Sequence, residues 1–179
     1  MVMAVPNVPV GAPAAGSITP TQLAQPFTEA VAVATTSGVA IDFTSIPSWV
    51  KRITLLFNGV STNGTSSFLV RVGSGSITTS GYNSTSQRSA SSVSVENTST
   101  TGFIINTVSA TTTLFGVLTL CRQTGDTWVG SGVFSDSSGV SCFNSNGAKG
   151  LGGALDRLRL TTVNGTDTFD AGSVNIFYE

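Results

Sequence analysis

The stretch KRITLLFNGVSTNGTSSFLVRVG, residues 51–73, decides the fold class. Apolar side chains alternate from Ile53 to Phe57 and again from Phe68 to Val72, with Arg71 on the opposite side of the second run. This period of two is typical of β-strands that bury one face. The residues between the runs are Asn, Gly, Ser and Thr, which offer no strong acid, base or metal ligand. The stretch therefore predicts two core strands joined by a stiff, uncharged connection.

The rest of the chain repeats this pattern of strand, turn and strand. Further candidate strands are TLFGVLTLC (113–121), DTWVGSGVF (126–134), GVSCFNS (139–145), DRLRLTTV (156–163) and AGSVNIFYE (171–179). Asn-Gly pairs and other glycine-rich turns separate them, including one at Asn58-Gly59. Roughly eight to ten short strands, with no convincing helix, predict an all-β, antiparallel β-sandwich that is jelly-roll-like.

Two segments carry more specific predictions. Residues 113–121 are almost continuously apolar, which predicts a central strand buried on both faces. The turn from Gln123 to Asp126 predicts that this strand forms a hairpin with the next one. Residues 74–100 contain few apolar side chains. They predict either a long polar loop or a hairpin at the edge of a sheet.

The composition excludes several classes of function. The chain of 179 residues has no His, 9 % charged residues and a net charge of −1. Its eight Lys and Arg are scattered, whereas nucleic-acid binding needs them clustered. No run of 18 apolar residues occurs, so we expect no membrane insertion. The N-terminus has no basic residue before its apolar positions, and we expect no secretion signal.

The first 28 residues differ from the rest of the chain. They contain five of the six prolines and no charged residue, which disfavours a regular helix or a central strand. A loose tail and an extended arm that lies on a partner both fit, and the arm is favoured. We therefore divide the chain into an arm, residues 1–28, and a head domain, residues 29–179. The residues expected to anchor the arm are Ile18, Pro20, Leu23, Pro26 and Phe27.

Few residues could support catalysis. Without His, the Ser-His-Asp and Cys-His nucleophile systems and His-based zinc sites are absent, and two cysteines are too few for a thiolate zinc site. The remaining candidates are carboxylates, at Asp126, Asp136, Asp167 and Asp170. A glycosidase would need two of them facing each other across a cleft. Shaping of turns is the favoured role for Asp167 and Asp170. We expect no enzyme activity, no cofactor and no metal.

The two cysteines, Cys121 and Cys142, lie 21 positions apart. A small secreted scaffold stabilised by disulfides usually has more cysteines. Two reduced, buried thiols are therefore favoured over one disulfide. No His is present to activate either thiol, so a reactive cysteine is not expected.

The aromatic residues suggest one contact surface. Trp128 alternates within an apolar strand and is expected in the core, and Trp49 is expected to pack at the entrance of a strand. Tyr82 lies in the polar segment 74–100, where a core position is less expected. Tyr82, Asn83 and Arg88 are therefore the candidate contacts to a glycan or receptor.

Several long motifs resemble structural proteins of tailed bacteriophages. They are VAVATTSGVAIDFTSIPSWVKRITLLFNGVSTNGTSSFLVRVG (31–73), STTGFII (99–105) and ALDRLRLTTVNGTDTFDAGSVNIFYE (154–179). The chain ends on a pattern, DxFDAGxxNIxYE, that is similar to the end of tail-fibre and appendage modules. The preceding GSITPTQLAQPFT (16–28) resembles the linker of such modules. Residues 74–153 match only loosely.

The resemblance implies a structural protein of the virion. Such modules are similar to β-sandwich heads that assemble as homotrimers on fibres. Only about 28 residues precede the head here, which implies a short fibre or appendage that residues 1–28 attach to tail, neck or capsid proteins. A host-surface glycan would be a further partner. The alternative is a decoration protein on the capsid. Either protein would be assembled in the host cytoplasm and located in the virion.

Overall fold

The computed structural model describes residues 26–91, 93–107 and 109–179, which form β-strands, turns and loops without a helix. The strands are β1 (Thr28–Glu29), β2 (Val33–Ala34), β3 (Ile41–Phe43), β4 (Arg52–Thr62), β5 (Phe68–Ser74), β6 (Ser76–Ile77), β7 (Tyr82–Ala90), β8 (Val93–Ser99), β9 (Phe103–Ile105), β10 (Leu114–Arg122), β11 (Thr127–Asp136), β12 (Ser141–Gly150), β13 (Arg157–Thr162) and β14 (Phe169–Tyr178). This number exceeds the predicted eight to ten because five strands have only two or three residues.

The strands form two antiparallel sheets that pack against each other. The larger sheet has nine strands, in the order β1-β14-β4-β10-β11-β12-β7-β8, and β2 also pairs with β14. The smaller sheet has the order β3-β13-β5-β6, and β9 pairs with β5. The predicted all-β antiparallel sandwich is confirmed. The jelly-roll connectivity stays a prediction.

The core lies between the sheets and follows from the alternation in the sequence. Ile53 and Leu55 of β4 are completely buried, and so are Val70 and Val72 of β5 on the facing sheet. Aromatic pairs add contacts within this core: Phe57 of β4 meets Phe134 of β11, in the same sheet, edge to face with ring centroids 5.2 Å apart. Fully burying such a side chain contributes about 1.5–3 kcal/mol to folding. The predicted core position of Trp128 is confirmed, since it is 1 % exposed.

The prediction for residues 113–121 is half right. They form β10, which lies in the middle of the larger sheet and pairs with β11 in the predicted hairpin. Only one face of β10 is buried, however. Leu118 and Leu120 point into the core, whereas Phe115 and Val117 are 40 % and 41 % exposed. The prediction of burial on both faces is wrong, because no described segment covers the outer face of this sheet.

The sequence predicted a turn between strands at Asn58-Gly59, and this prediction is wrong. The pair lies inside β4, at a point where the register of β4 shifts against both β10 and β14. Gly59 has φ of +65°, a backbone conformation that glycine adopts without a steric penalty. The pair is thus a β-bulge, which lets one long strand bend and continue to Thr62.

The connection between β4 and β5 crosses from one sheet to the other. It is held by the loop that follows β13: Asn63 accepts a hydrogen bond from the backbone N–H of Thr168 (2.8 Å), and Asp167 accepts one from Ser66 (3.0 Å). The uncharged residues 63–67 therefore form a corner of the sandwich, which hydrogen bonds to the loop after β13 hold in place. The predicted turn-shaping role of Asp167 is confirmed.

Residues 74–100 form mostly regular structure. β7 and β8 pair from Ser84 with Ser99 to Ala90 with Val93, as a hairpin at the outer edge of the larger sheet. Of the two alternatives for this segment, the edge hairpin is confirmed and the long loop is wrong. In the strand order of this sheet, the hairpin lies at the opposite end from β1.

Candidate functional site

Tyr82 is a core residue, so its prediction as a surface contact is wrong. Its side chain is 3 % exposed and packs edge-on against Phe103, with centroids 5.4 Å apart. Its hydroxyl accepts the backbone N–H of Val72 (2.8 Å) and lies 3.1 Å and 3.0 Å from the carbonyl oxygens of Val72 and Thr78. Burial raises the pKa of Tyr82 to about 12, against the opposing effect of the hydrogen bond to Val72. Tyr82 thus holds β7 to the smaller sheet.

We expect the stability of the head to fall at high pH because of Tyr82. The pKa of a tyrosine in an unfolded chain is about 10, and that of Tyr82 in the fold is about 12. Because the pKa is higher in the folded state, the neutral form of Tyr82 contributes its full stabilisation below pH 10. This contribution is lost as the pH rises through 12. Ultraviolet titration should therefore show one tyrosine ionising near pH 12.

The variant Tyr82→Phe should lack this late ionisation. It should also lose about 1–3 kcal/mol of unfolding free energy in denaturant melts near neutral pH, because the N–H of Val72 would lose its partner. If the late ionisation persists in Tyr82→Phe, the assignment to Tyr82 is wrong.

The other two contact candidates lie at opposite ends of β7 and on opposite faces. Asn83 is exposed on the outer face of the larger sheet, opposite Ala148. Arg88 is partly buried and points to the inner side, where its Nε donates to Ser141 Oγ at 3.3 Å. The structure therefore does not bring Tyr82, Asn83 and Arg88 together into one site.

Arg88 lines a polar cleft of about 330 Å³ at one end of the sandwich. The cleft lies between the end of β7, the loop before β10 and the turn before β12. Its lining residues are mostly hydroxyl-bearing: Arg88, Ser109, Thr111, Thr112, Asp136, Ser137, Ser138, Val140 and Ser141. The sequence alone did not connect Arg88 with Asp136, because 48 positions separate them and β12 brings their strands together.

Asp136 shapes the turn at this cleft. Burial acts to raise the pKa of its carboxyl, but hydrogen bonds from the hydroxyls of Ser138 and Ser141 and from the backbone outweigh it, so the pKa lies below its usual value. Ser138 Oγ donates to Asp136 Oδ1 at 2.6 Å, and the N–H of Val140 donates to the same oxygen at 3.3 Å. The carboxylate thus fixes a turn within its own loop.

The other carboxylate candidates are also engaged locally. Asp126 pairs with Arg122 at 2.9 Å across the hairpin turn between β10 and β11. Asp170 lies inside β14 and accepts a hydrogen bond from the hydroxyl of Ser61 in β4, so the prediction that it shapes a turn is wrong. Nowhere in the described ranges do three or more His, Cys, Asp or Glu side chains group in a way that could hold a metal ion.

The outer face of the larger sheet has no charged side chain over four adjacent strands, β10, β11, β12 and β7. Its outward positions are the alternate residues from Phe115 to Cys121 in β10, Val129 to Ser135 in β11, Cys142 to Ala148 in β12 and Asn83 to Ser89 in β7. All of them are apolar or neutral polar residues. Such a broad uncharged face is unusual, because surfaces that remain in water normally carry interspersed charges.

The outer face of the smaller sheet, in contrast, is charged. It carries a row of charged side chains, in which Asp42, Arg159 and Arg71 are neighbours on three adjacent strands. Arg159 binds Asp42 through two hydrogen bonds of 2.7 Å, and Arg157 pairs with Asp156 at 2.8 Å. The outer face of the smaller sheet is therefore charged, whereas that of the larger sheet is uncharged over β10, β11, β12 and β7.

Both cysteines lie on the uncharged face. Cys121 and Cys142 are free thiols, as predicted, but they are exposed, so the prediction that they are buried is wrong. Each one occupies an outward position on its strand: Cys121 opposite Val129 and Cys142 opposite Ser135. The sequence suggested burial because cysteine is among the most buried residue types.

The N-terminal segment joins the head at the opposite edge from the hairpin. Thr28 and Glu29 form β1 and pair with Tyr178 and Phe177 of β14. Phe27 stacks on Phe177 with centroids 5.2 Å apart and remains 55 % exposed. Of the predicted anchors, Pro26 and Phe27 are therefore described; Ile18, Pro20 and Leu23 lie outside the described residues.

No helix among the described residues is long and apolar enough to cross a membrane. Comparisons of the chain with protein-family models, with curated proteins and with solved structures give no match.

Proposed function

We propose that this chain is a non-enzymatic structural component of a bacteriophage virion. In this proposal it forms a short homotrimeric fibre or appendage. Residues 1–28 attach it to tail, neck or capsid proteins, and the head, residues 29–179, presents its far edge to host-surface glycan. The proposal combines the resemblance of the long motifs with the layout of the head.

One observation carries the proposal most directly. The strand that continues from the N-terminal segment, β1, and the hairpin β7–β8 are the two ends of the same sheet. Seven strand spacings of ~4.8 Å separate them, which is roughly 34 Å. A head of this kind can hold a particle at one edge and expose the opposite edge, as attachment to a surface requires.

The cleft at Arg88 suits a carbohydrate. Serine and threonine hydroxyls both donate and accept hydrogen bonds, as sugar hydroxyls do, and Arg88 adds a fixed fork of donors. We expect labelled head protein to bind members of a glycan array, and Arg88→Ala to weaken that binding about 10–100-fold, the effect of losing a hydrogen bond to a charged group.

The matched control for this array is Arg52→Ala. Arg52 is exposed and pairs with Glu179, and it lies in β4, near the attachment edge. It should leave glycan binding unchanged. An array without any signal from the wild type would remove glycan binding from the proposal, and an equal loss in both variants would exclude the cleft as the site.

Binding to particles tests the main proposal. Labelled full-length chain, mixed with virions that lack this protein, should co-sediment with them and reach saturation at a fixed number of copies per particle. Unsaturable or absent co-sedimentation would contradict a virion component with defined attachment points.

A further inference from the structure

The uncharged outer face of the larger sheet has the properties of an interface between copies of this chain. We infer that copies of the protein pack against one another through the outer face of β4, β10, β11, β12 and β7. The inference deepens the proposed function, because it names the surface through which the oligomer forms. The expected number of copies, three, rests on the proposed function. Its test uses the purified chain alone and needs no particle.

The absence of charge is the first argument. In a symmetric oligomer every residue recurs in each copy, so a charge near the axis meets the same charge of its neighbours. Removing two such charges from water costs several kcal/mol unless each has a partner. The charged residues on this face lie at its margins: Arg52, paired with Glu179, at one end of β4, Glu96 on the edge strand β8, and Glu29 on β1, whose carboxylate accepts a hydrogen bond from Asn175 of β14.

The apolar residues on the face form a connected stripe. Leu56, Val117 and Val133 are direct neighbours on three adjacent strands, β4, β10 and β11. Val133 is 58 % exposed and Val129, two residues earlier, is 44 % exposed. Covering these side chains would contribute about 25 cal/mol for each Å² removed from water. Polar neighbours such as Asn144, opposite Val133, complete the face without adding charge.

The area is sufficient for a specific interface. Five strands at ~4.8 Å spacing and about eight residues per strand at ~3.3 Å rise give a face of roughly 24 by 26 Å. Two such faces packed on each other bury about 1,200 Å², the lower bound of stable protein–protein interfaces, and three faces around a threefold axis bury about 1,900 Å² in all. The smaller sheet offers no comparable surface, since ion pairs such as Arg159 with Asp42 cross its outer face.

A charge placed in the middle of the face should break the oligomer. We expect light scattering of the wild type to give a mass of three times the 18.2 kDa chain, and Val133→Glu to give the mass of one chain at the same concentration. The matched control is Val163→Glu, because Val163 is similarly exposed, at 50 %, in the loop after β13 of the other sheet. It should keep the wild-type mass.

The possible outcomes distinguish a failure of this inference from a failure of the proposed function. If Val133→Glu keeps an oligomeric mass, the face is not the interface, and the virion role remains to be decided by particle binding. If the wild type is itself a single chain, both the interface and the homotrimer are wrong. A wild-type dimer that Val133→Glu dissociates would support the interface and contradict the trimer.

A second readout does not depend on the folding of a variant. Cys121 and Cys142 are exposed on the face in a single copy, and an oligomer should cover them. We expect a maleimide reagent to modify the wild-type thiols at least ~10-fold more slowly at a concentration where the oligomer forms than after dilution to single chains. Equal rates at both concentrations would contradict the interface.

Discussion

Replacing Gly172 by alanine is expected to destabilise the head by roughly 2–5 kcal/mol, a large share of the 5–15 kcal/mol that stabilises a typical domain. Gly172 lies in β14 opposite the bulge of β4 and has φ of +87°. A Cβ at this position would lie 2.2 Å from the carbonyl oxygen of Gly59. That oxygen belongs to the backbone, so no rotamer change can relieve the clash, and the two strands would have to separate.

The control for this variant is Gly165→Ala. Gly165 also has a positive φ, +68°, but a Cβ there would meet no atom within 4 Å. It should therefore show only the backbone penalty of about 1–2 kcal/mol. Both values can be measured from denaturant melts of the purified chain. Equal losses in the two variants would show that the strands at the bulge are not in close contact.

Deleting residues 1–25 is expected to abolish particle binding while the head remains folded. The deletion leaves Phe27 on Phe177 and β1 paired with β14, so every contact described for the head is retained. The removed segment contains Ile18, Pro20 and Leu23, which the proposal assigns to attachment. Co-sedimentation with virions that lack the protein measures the loss directly.

Two controls make the result of this deletion specific. The truncated chain should give the same cooperative denaturant melt as the full chain and the same thiol reactivity at Cys121 and Cys142. A truncated chain that still binds particles would contradict attachment through the arm. Binding would then have to involve the head.

Much of the fold follows from local alternation in the sequence. Ile53, Leu55 and Phe57 were predicted on one strand face and are at most 4 % exposed. The hairpin between β10 and β11 was predicted from its turn residues and is confirmed. These features depend on neighbours a few positions apart, and a single sequence shows them directly.

Other features depend on what covers a surface, which a sequence does not show. The almost continuous apolar sequence of residues 113–121 is compatible with a strand buried on both faces and with a strand whose second face is uncovered or meets another chain. Phe115 and Val117 are 40 % and 41 % exposed, so the second face of β10 is uncovered in the single copy. Cys121 belongs to the same outward row.

Tyr82 was misplaced for a different reason. The inner face of β7 continues from Tyr82 with Ser84 and Ser86, which are 2 % and 0 % exposed. Their hydroxyls accept the backbone N–H groups of Ile104 and Asn106, each at 3.0 Å. Serines whose hydroxyls accept hydrogen bonds from neighbouring backbone N–H groups can be buried, but in the sequence they look the same as the serines of a polar loop.

The cleft near Arg88 could not be predicted from the sequence either. Arg88 was predicted as a contact and Asp136 as a weak catalytic candidate, and they belong to one cleft only because β12 pairs with both β7 and β11. Strand order across a sheet depends on long-range pairing. Spacing along the chain did not reveal it.

Electron microscopy of virions carrying the labelled full-length chain tests the central claim most directly. We predict label at a fixed number of discrete positions on the particle, with three copies at each position. Label spread over the capsid faces would contradict the fibre and identify a decoration protein. Virions without label, at concentrations where the chain is folded, would contradict a virion component altogether.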